Sequence, residues 1–330
     1  MKKKLSAALT LVGTLALALA GCSNSPSGSG QSGSAGDKTY TVGIAQYLSH
    51  PSLDAAVKGF KAALTDAKLN VTYDEQNAQG DQGTATSIAS KFATQKMDLV
   101  LAVATPMAQA VAQNVVSAPV LFTAVTDPVA AQLVDSNDKP GANVTGTTDL
   151  NPVAEQIDLI KQVLPSAKSV GVVYSSGEVN SQVQVDLAKA QAQKQGLKLV
   201  EKKITNSSEV VQAVQTLGDV DAIYVPTDNM VVSALDSVLQ IAQEKKILVV
   251  VAEATSVEKG GALTYGLDYE KLGYQTGQMA VKILKDGADP ATTPVEAQAD
   301  PQLVVNPKGA ELTGVTLPKE LLDKADRTIE

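Results

Sequence analysis

Runs of four or five apolar residues with no polar alternation, each followed by a helical pattern, recur along most of this chain. Val100-Leu101-Ala102-Val103 is the clearest of them. A strand with one face in water alternates apolar and polar residues. A run without alternation is therefore covered on both faces, as in a parallel sheet between layers of helix. Expected strands over 41–48, 70–73, 99–104 and 120–125 alternate with expected helices over 52–67, 83–96 and 107–116. A second series follows: helices over 155–163, 181–195, 208–217 and 230–244, interleaved with strands over 169–174, 197–202, 222–225 and 247–251. The helix over 52–67 sets Leu53, Val57, Phe60, Leu64 and Ala67 on one face. Two consecutive series predict an α/β protein of two doubly wound parallel-sheet lobes.

The N-terminus sets the compartment. Lys2, Lys3 and Lys4 precede an apolar run over 5–20, which ends in Gly21 and Cys22. This is the layout of a cleaved secretory signal, and it is too short for a spanning helix. Ending on cysteine, it resembles a bacterial lipoprotein signal, in which the thiol receives lipid and becomes the new N-terminus. Residues 1–21 are expected to be signal peptide, with 22–37 forming the lipidated Cys22 and a flexible tether. Ser23 to Gly36 holds almost only small and polar residues, too few apolar groups to order itself. It would span roughly 20 Å r.m.s.. Its Gly28-Ser29-Gly30-Gln31-Ser32-Gly33 fits the G-x-G-x-x-G dinucleotide pattern in letters, but no strand precedes it and no helix follows, so it carries no such meaning. The expected location is extracytoplasmic, anchored to the cell membrane by lipid.

Composition removes several functions. The chain carries 27 Lys+Arg against 35 Asp+Glu, and three of the lysines lie in the signal. Without a basic cluster, nucleic-acid binding has no electrostatic footprint. His50 is the only histidine and Cys22 the only cysteine. Ser-His-Asp and two-histidine metal arrangements that need an imidazole elsewhere are thereby excluded, as are thiolate metal sites and disulfides once Cys22 is lipidated, whereas enzymes based on carboxylates or cofactors are not. No cofactor or metal is expected, and a monomer is expected.

Candidate chemistry lies where strands run into polar elbows. Four elbows precede helices: Tyr47-Leu48-Ser49-His50-Pro51, Ala104-Thr105-Pro106, Ser175 to Ser181, and Pro226-Thr227-Asp228-Asn229. In open α/β sheets ligands collect at these carboxyl ends, and helix N-termini there favour carboxylates or phosphates. Ser49, Thr105, Asp127 and Asp228 can each be read either as helix or turn caps or as ligand contacts. His50 packs a helix start or faces a cleft. Pro128 fixes the backbone after Thr126-Asp127 but donates nothing.

Across roughly residues 40 to 320 these pieces resemble the substrate-binding lipoproteins of ABC importers in the tryptophan/tyrosine-type family. The resemblance is carried by Gly43-Ile44-Ala45-Gln46, His50-Pro51-Ser52-Leu53-Asp54, Phe122 to Pro128 and Asn143-Val144-Thr145-Gly146. Further along it is carried by Glu178-Val179-Asn180-Ser181, Asp221 to Asn229, Tyr265 to Tyr269, Leu272 to Gly277 and Val304-Val305-Asn306. It implies a type I periplasmic-binding-protein fold, with two lobes joined by a hinge of crossing strands and a ligand between them. Lobe 1 is expected to comprise 38–149 plus about 256–291, and lobe 2 about 150–255 plus 292–330.

By the same resemblance, Thr105 with Ala104 or Thr126 would hold a ligand carboxylate, and Asp228 would take the ammonium. Asn180 and Ser181 would add contacts, and Tyr47, Tyr265 or Tyr224 would meet the ligand side chain unless Tyr224 is core. Ser49, His50, Asp127, Ser175, Glu178, Glu253 and Asp268 complete the candidate set. The implied function is capture of a small amino acid, aromatic or not, for delivery to an ABC permease. Two alternatives use the same cleft: a ligand-sensing receptor without transport, and an enzyme working through Asp228, Glu253 or Glu178.

Overall fold

In the computed structural model, which describes residues 38–330, the two series of apolar runs pair as two separate sheets. The signal, the lipidation of Cys22 and the tether lie outside the described residues. The first strands are β1 (Thr39–Gln46), β2 (Asn70–Asn77), β3 (Leu99–Val103), β4 (Val120–Val125) and β5 (Val144–Thr148). They continue with β6 (Ser169–Ser175), β7 (Lys198–Ile204), β8 (Ala222–Val225), β9 (Leu248–Val251) and β10 (Leu263–Gly266). The last are β11 (Glu296–Ala297), β12 (Gln302–Val305) and β13 (Arg327–Thr328).

The sheets have the orders β11-β5-β4-β3-β1-β2 and β13-β12-β10-β9-β8-β6-β7. Only β10 with β12 runs antiparallel. Every residue of β3, β4, β8 and β9 is buried, as their unbroken apolar runs require. With the fold class and two lobes as expected, one helix differs. The stretch over 230–244 is two helices, Asn229–Ser233 and Leu235–Lys245, broken where Ala234 leaves helical geometry at φ −107°, ψ 18°.

The lobe boundaries also differ from the expectation. Residues 263–266, assigned to lobe 1, pair as β10 within the second sheet. Residues 296–297, assigned to lobe 2, pair as β11 beside β5 in the first. A run as short as Leu263-Thr264-Tyr265-Gly266 is compatible with either sheet, and only its pairing with β9 and β12 decides.

The chain consequently passes between sheets three times, at 149–152, 267–268 and 298–301. These crossings are tied to one another. Asn151 Oδ1 accepts the Leu267 N–H at 3.0 Å. Gln298 accepts the Asp268 N–H at 2.9 Å and donates to the Asp268 carbonyl at 3.1 Å.

After the second crossing, the helix Tyr269–Asp286 returns to lobe 1 and lies against Pro51–Asp66. Glycine permits their approach. A Cβ on Gly59 would stand 1.9 Å from the Glu270 carbonyl oxygen, and one on Gly273 would stand 1.8 Å from that of Ala56. The helix carrying His50 and Ser52 at its start is thus pinned to the element that leaves the hinge.

Candidate functional site

The carboxyl ends of both sheets face one cleft, where the backbone is unusual. Ala104, after β3, has φ 77°, and Ala124, within β4, has φ 55°. Both lie in the left-handed region that non-glycine residues seldom occupy, at a cost on the order of 1–3 kcal/mol each. Ala124 falls where the β4–β5 register shifts between Phe122 and Val125. Such irregularities re-aim the chain beside functional sites.

Between the lobes is a small cavity. Lobe 1 and the hinge contribute His50, Ser52, Leu53, Ala124, Asp149 and Tyr269; lobe 2 contributes Asn180, Thr227, Asn229, Val232 and Glu253. Three side-chain contacts among the described residues cross directly between lobes here. Ser52 Oγ donates to the Glu253 carboxylate and lies 2.6 Å from Thr255 Oγ1. His50 Nε2 lies 3.4 Å from Asn229 Oδ1. Thr255 and Ser256 hydroxyls also donate to Glu253. Asp149 accepts from Thr126 Oγ1 at 3.0 Å and from the Tyr269 hydroxyl. Burial raises the Asp149 carboxyl above its ordinary range and lowers the His50 imidazole below its own.

Glu178 organises the lobe 2 wall. Its Oε2 accepts from Asn180 Nδ2 at 3.2 Å, the Asn229 backbone N–H at 3.3 Å and Asn229 Nδ2 at 2.5 Å. With both amide nitrogens bound to Glu178, each carboxamide must turn its oxygen elsewhere. Asn180 Oδ1 has no partner, and Asn229 Oδ1 faces His50. Glu178 Oε1 is also buried without a partner. Burial first, and the Asp228 carboxylate second, push the Glu178 carboxyl up to about 8. Tyr47, across the cleft, feels the same charge. Burial, then Glu178, pushes its phenol up to about 12, while its hydroxyl donates to the Gly80 carbonyl at 2.9 Å.

Among the described residues, buried side-chain atoms without a hydrogen-bond partner are His50 Nδ1, Thr105 Oγ1, Glu178 Oε1, Asn180 Oδ1 and Thr264 Oγ1. The first four sit on the elbows that face the cleft. Each such atom costs on the order of 1–3 kcal/mol while unpaired, so a molecule that supplies partners here is favoured.

The other sequence candidates divide. Asp228 is inside lobe 2 and fully engaged: it accepts from Ser175 N at 2.6 Å, Ser181 Oγ at 2.7 Å and Val231 N at 2.9 Å. It caps its helix and clasps two elbows, and it is not among the residues that line the cavity, where an ammonium partner is expected. Ser49 is exposed and donates to Asp54. Asp127 caps its own turn through Val129 N and Ala130 N. Asp268 caps Tyr269–Asp286 through Glu270 N and Lys271 N.

Tyr265 lies away from the cleft, beside Leu303 and Leu321 on lobe 2. Tyr224 is core, its hydroxyl donating to Gln156 Oε1 at 2.8 Å. The sequence reading passed over Asp149, Asn229, Thr227 and Tyr269. Asn229 and Thr227 stand in the same elbow as Asp228, but which residue of an elbow faces outward depends on its backbone turn. Asp149 and Tyr269 become neighbours only through two separate crossings.

Two sheet-centred lobes, three tied crossings and a polar cleft between them define a type I periplasmic-binding-protein fold. The chain belongs to the ABC transporter substrate-binding protein family, whose pattern it matches over residues 41–329. It is 42% identical to a tyrosine-binding protein of Clostridioides difficile over 315 residues, covering 93% of this chain and 91% of that one. A Streptococcus pneumonia ABC domain in complex with L-Trp superposes with a TM-score of 0.85 at 37% identity, over 88% of this chain and 100% of that one. A ligand-free, open substrate-binding protein with adhesive properties from Clostridium difficile gives 0.65 at 45% identity, with the same coverage. The open structure shares more sequence yet superposes less well.

Proposed function

We propose that this chain is an extracytoplasmic receptor that captures an amino acid between its lobes and delivers it to an ABC permease. Capture and release without chemistry is part of this reading. The observation that carries it is the buried, unpartnered Glu178 Oε1 beside Asn180 Oδ1. Asn180 Oδ1 is an acceptor, Glu178 Oε1 becomes one when its carboxyl ionises on binding, and an ammonium supplies donors to both. Across the cleft, Thr105 Oγ1 is unpartnered at the first turn of the helix Thr105–Asn114, a setting that suits the ligand carboxylate. Closure then follows from contacts that both lobes make only to a bound zwitterion.

The groups on offer, acceptors for one ammonium and a helix N-terminus for one carboxylate, suit a ligand the size of a single amino acid. The tyrosine-binding relative and the L-Trp complex support an aromatic one. Calorimetry of the purified protein against the common amino acids tests the reading: one-to-one binding of at least one is expected, and no binding of any refutes it. In a parallel thermal-shift screen, ligand at 100 times Kd adds about 2.7 kcal/mol.

Anchoring through Cys22 belongs to the same proposal. Cys22→Ala is expected to bind ligand normally but to leave the membrane fraction. A variant that stays membrane-bound without detergent refutes the anchor.

A further inference from the structure

Glu178 holds the two carboxamides of the lobe 2 wall in different ways. Asn180 Nδ2 donates to it and also to the Thr227 carbonyl at 3.1 Å, so Asn180 stays tied within its own lobe. Asn229 donates to Glu178 Oε2 through both its backbone N–H and Nδ2, and its Oδ1 faces His50 Nε2 of lobe 1 at 3.4 Å. Among the described residues, Asn229 is the one hydrogen-bond partner of Glu178 that also reaches lobe 1. The acid sets the orientation of that carboxamide, because turning it over would stand its oxygen against the Glu178 carboxylate, two acceptors face to face. An amide oxygen only accepts, so Nε2 carries the proton of the neutral His50 ring and Nδ1 is bare, in keeping with an Nδ1 that has no partner. All three side chains are buried, where water does not compete for these bonds.

We infer that Asn229 is a positioning residue that couples the ammonium site to lobe closure: Glu178 turns its carboxamide, and the carboxamide oxygen receives His50 from the opposite lobe. This rests on the amino-acid reading, in which Glu178 and Asn180 hold the ammonium. In the free protein at pH 7, burial and then Asp228 keep the Glu178 carboxyl mostly protonated. An ammonium at Oε1 draws it into the ionised form, and a hydrogen bond to an ionised acceptor is roughly twice as strong as one to a neutral group. Asn229 Nδ2 is then held more firmly and its oxygen is fixed toward lobe 1. The His50 contact, made only while the lobes are together, gains with it. Neither His50 nor Asn229 has to touch the ammonium for this. The coupling is reciprocal, so closure onto His50 tightens the ammonium site by the same factor.

The test is a double-mutant cycle on calorimetric affinity at pH 7 for L-tyrosine, or for the tightest-binding common amino acid should tyrosine not bind. Glu178→Gln removes the charge, and His50→Phe keeps a ring without its N–H. Glu178 and His50 share no hydrogen bond with each other, and losses at sites that do not communicate multiply to within about twofold. With Asn229 between them, the loss in the double variant is expected to fall at least about threefold short of the product of the single losses. In an Asn229→Ala background the two losses should multiply. A purely structural role for His50 or Asn229 lowers Tm and affinity without producing this coupling. Losses that multiply although the wild type binds one-to-one overturn this inference alone, and so does coupling that survives unchanged in Asn229→Ala. If Asn229→Ala fails to fold, the cycle in the wild-type background decides by itself. If no common amino acid binds the wild type, this inference and the amino-acid reading fall together.

Discussion

Glu178→Gln removes the charge proposed to meet the ligand ammonium while keeping the shape and most of the hydrogen bonds to Asn180 and Asn229. Losing one partner of a buried charge pair costs about 2–5 kcal/mol. Part of that is offset here. Burial and Asp228 hold the carboxyl at about 8, so at pH 7 ionising it for an ammonium costs roughly 1.4 kcal/mol, which glutamine avoids. The expected net loss at pH 7 is about 1–4 kcal/mol, or roughly 5- to 800-fold in Kd.

The sign of the pH dependence follows from the same balance. The ammonium favours the ionised carboxylate, and the raised value keeps the free protein mostly protonated below pH 8. Wild-type affinity should therefore rise between pH 6 and 8, by roughly 50-fold if the bound carboxylate stays ionised throughout. Binding at pH 7 should release close to one proton, visible as calorimetric enthalpies that vary with the ionisation heat of the buffer. The Gln variant should lose both signatures. A variant that keeps wild-type affinity and the same pH profile would refute the ammonium role of Glu178.

Three further perturbations probe the frame around the site. Gly59→Ala forces a Cβ to within 1.9 Å of the Glu270 carbonyl oxygen; overpacking of this kind costs about 1–3 kcal/mol, and calorimetric unfolding should show a lower Tm. An unchanged Tm would mean that the two helices part freely. Asp228→Asn replaces an oxygen of the carboxylate that serves Ser175, Ser181 and Val231, so stability should fall by about 1–3 kcal/mol with affinity within roughly threefold of wild type. A large affinity loss at unchanged Tm would return Asp228 to the ligand. Ser52→Ala removes a lobe-to-lobe donor to Glu253, and small-angle scattering should find a larger ligand-free radius of gyration than in wild type; equal radii would show that this contact does not hold the lobes together.

The sequence alone determined the architecture. Unalternating runs such as Val100 to Val103 are buried on both faces wherever they fold, because no single exposed face could carry them, and this condition forces parallel sheets under helices. The elbows after β3, β6 and β8 were legible for a related reason, since a strand that ends in Thr, Ser, Asn or Asp before a helix has few other conformations. The tertiary structure decided which residue of each elbow faces the ligand. Asp228 and Glu178 are both acids beside a helix start, yet Asp228 finds three donors in its own lobe and Glu178 keeps one oxygen free. That difference depends on distances between elbows more than forty residues apart. Asp149 and Tyr269 meet, and β10 joins the second sheet, only because three crossings bring remote segments to one hinge. Local pattern sets what a segment can form, whereas partners distant in sequence set what each polar atom lacks.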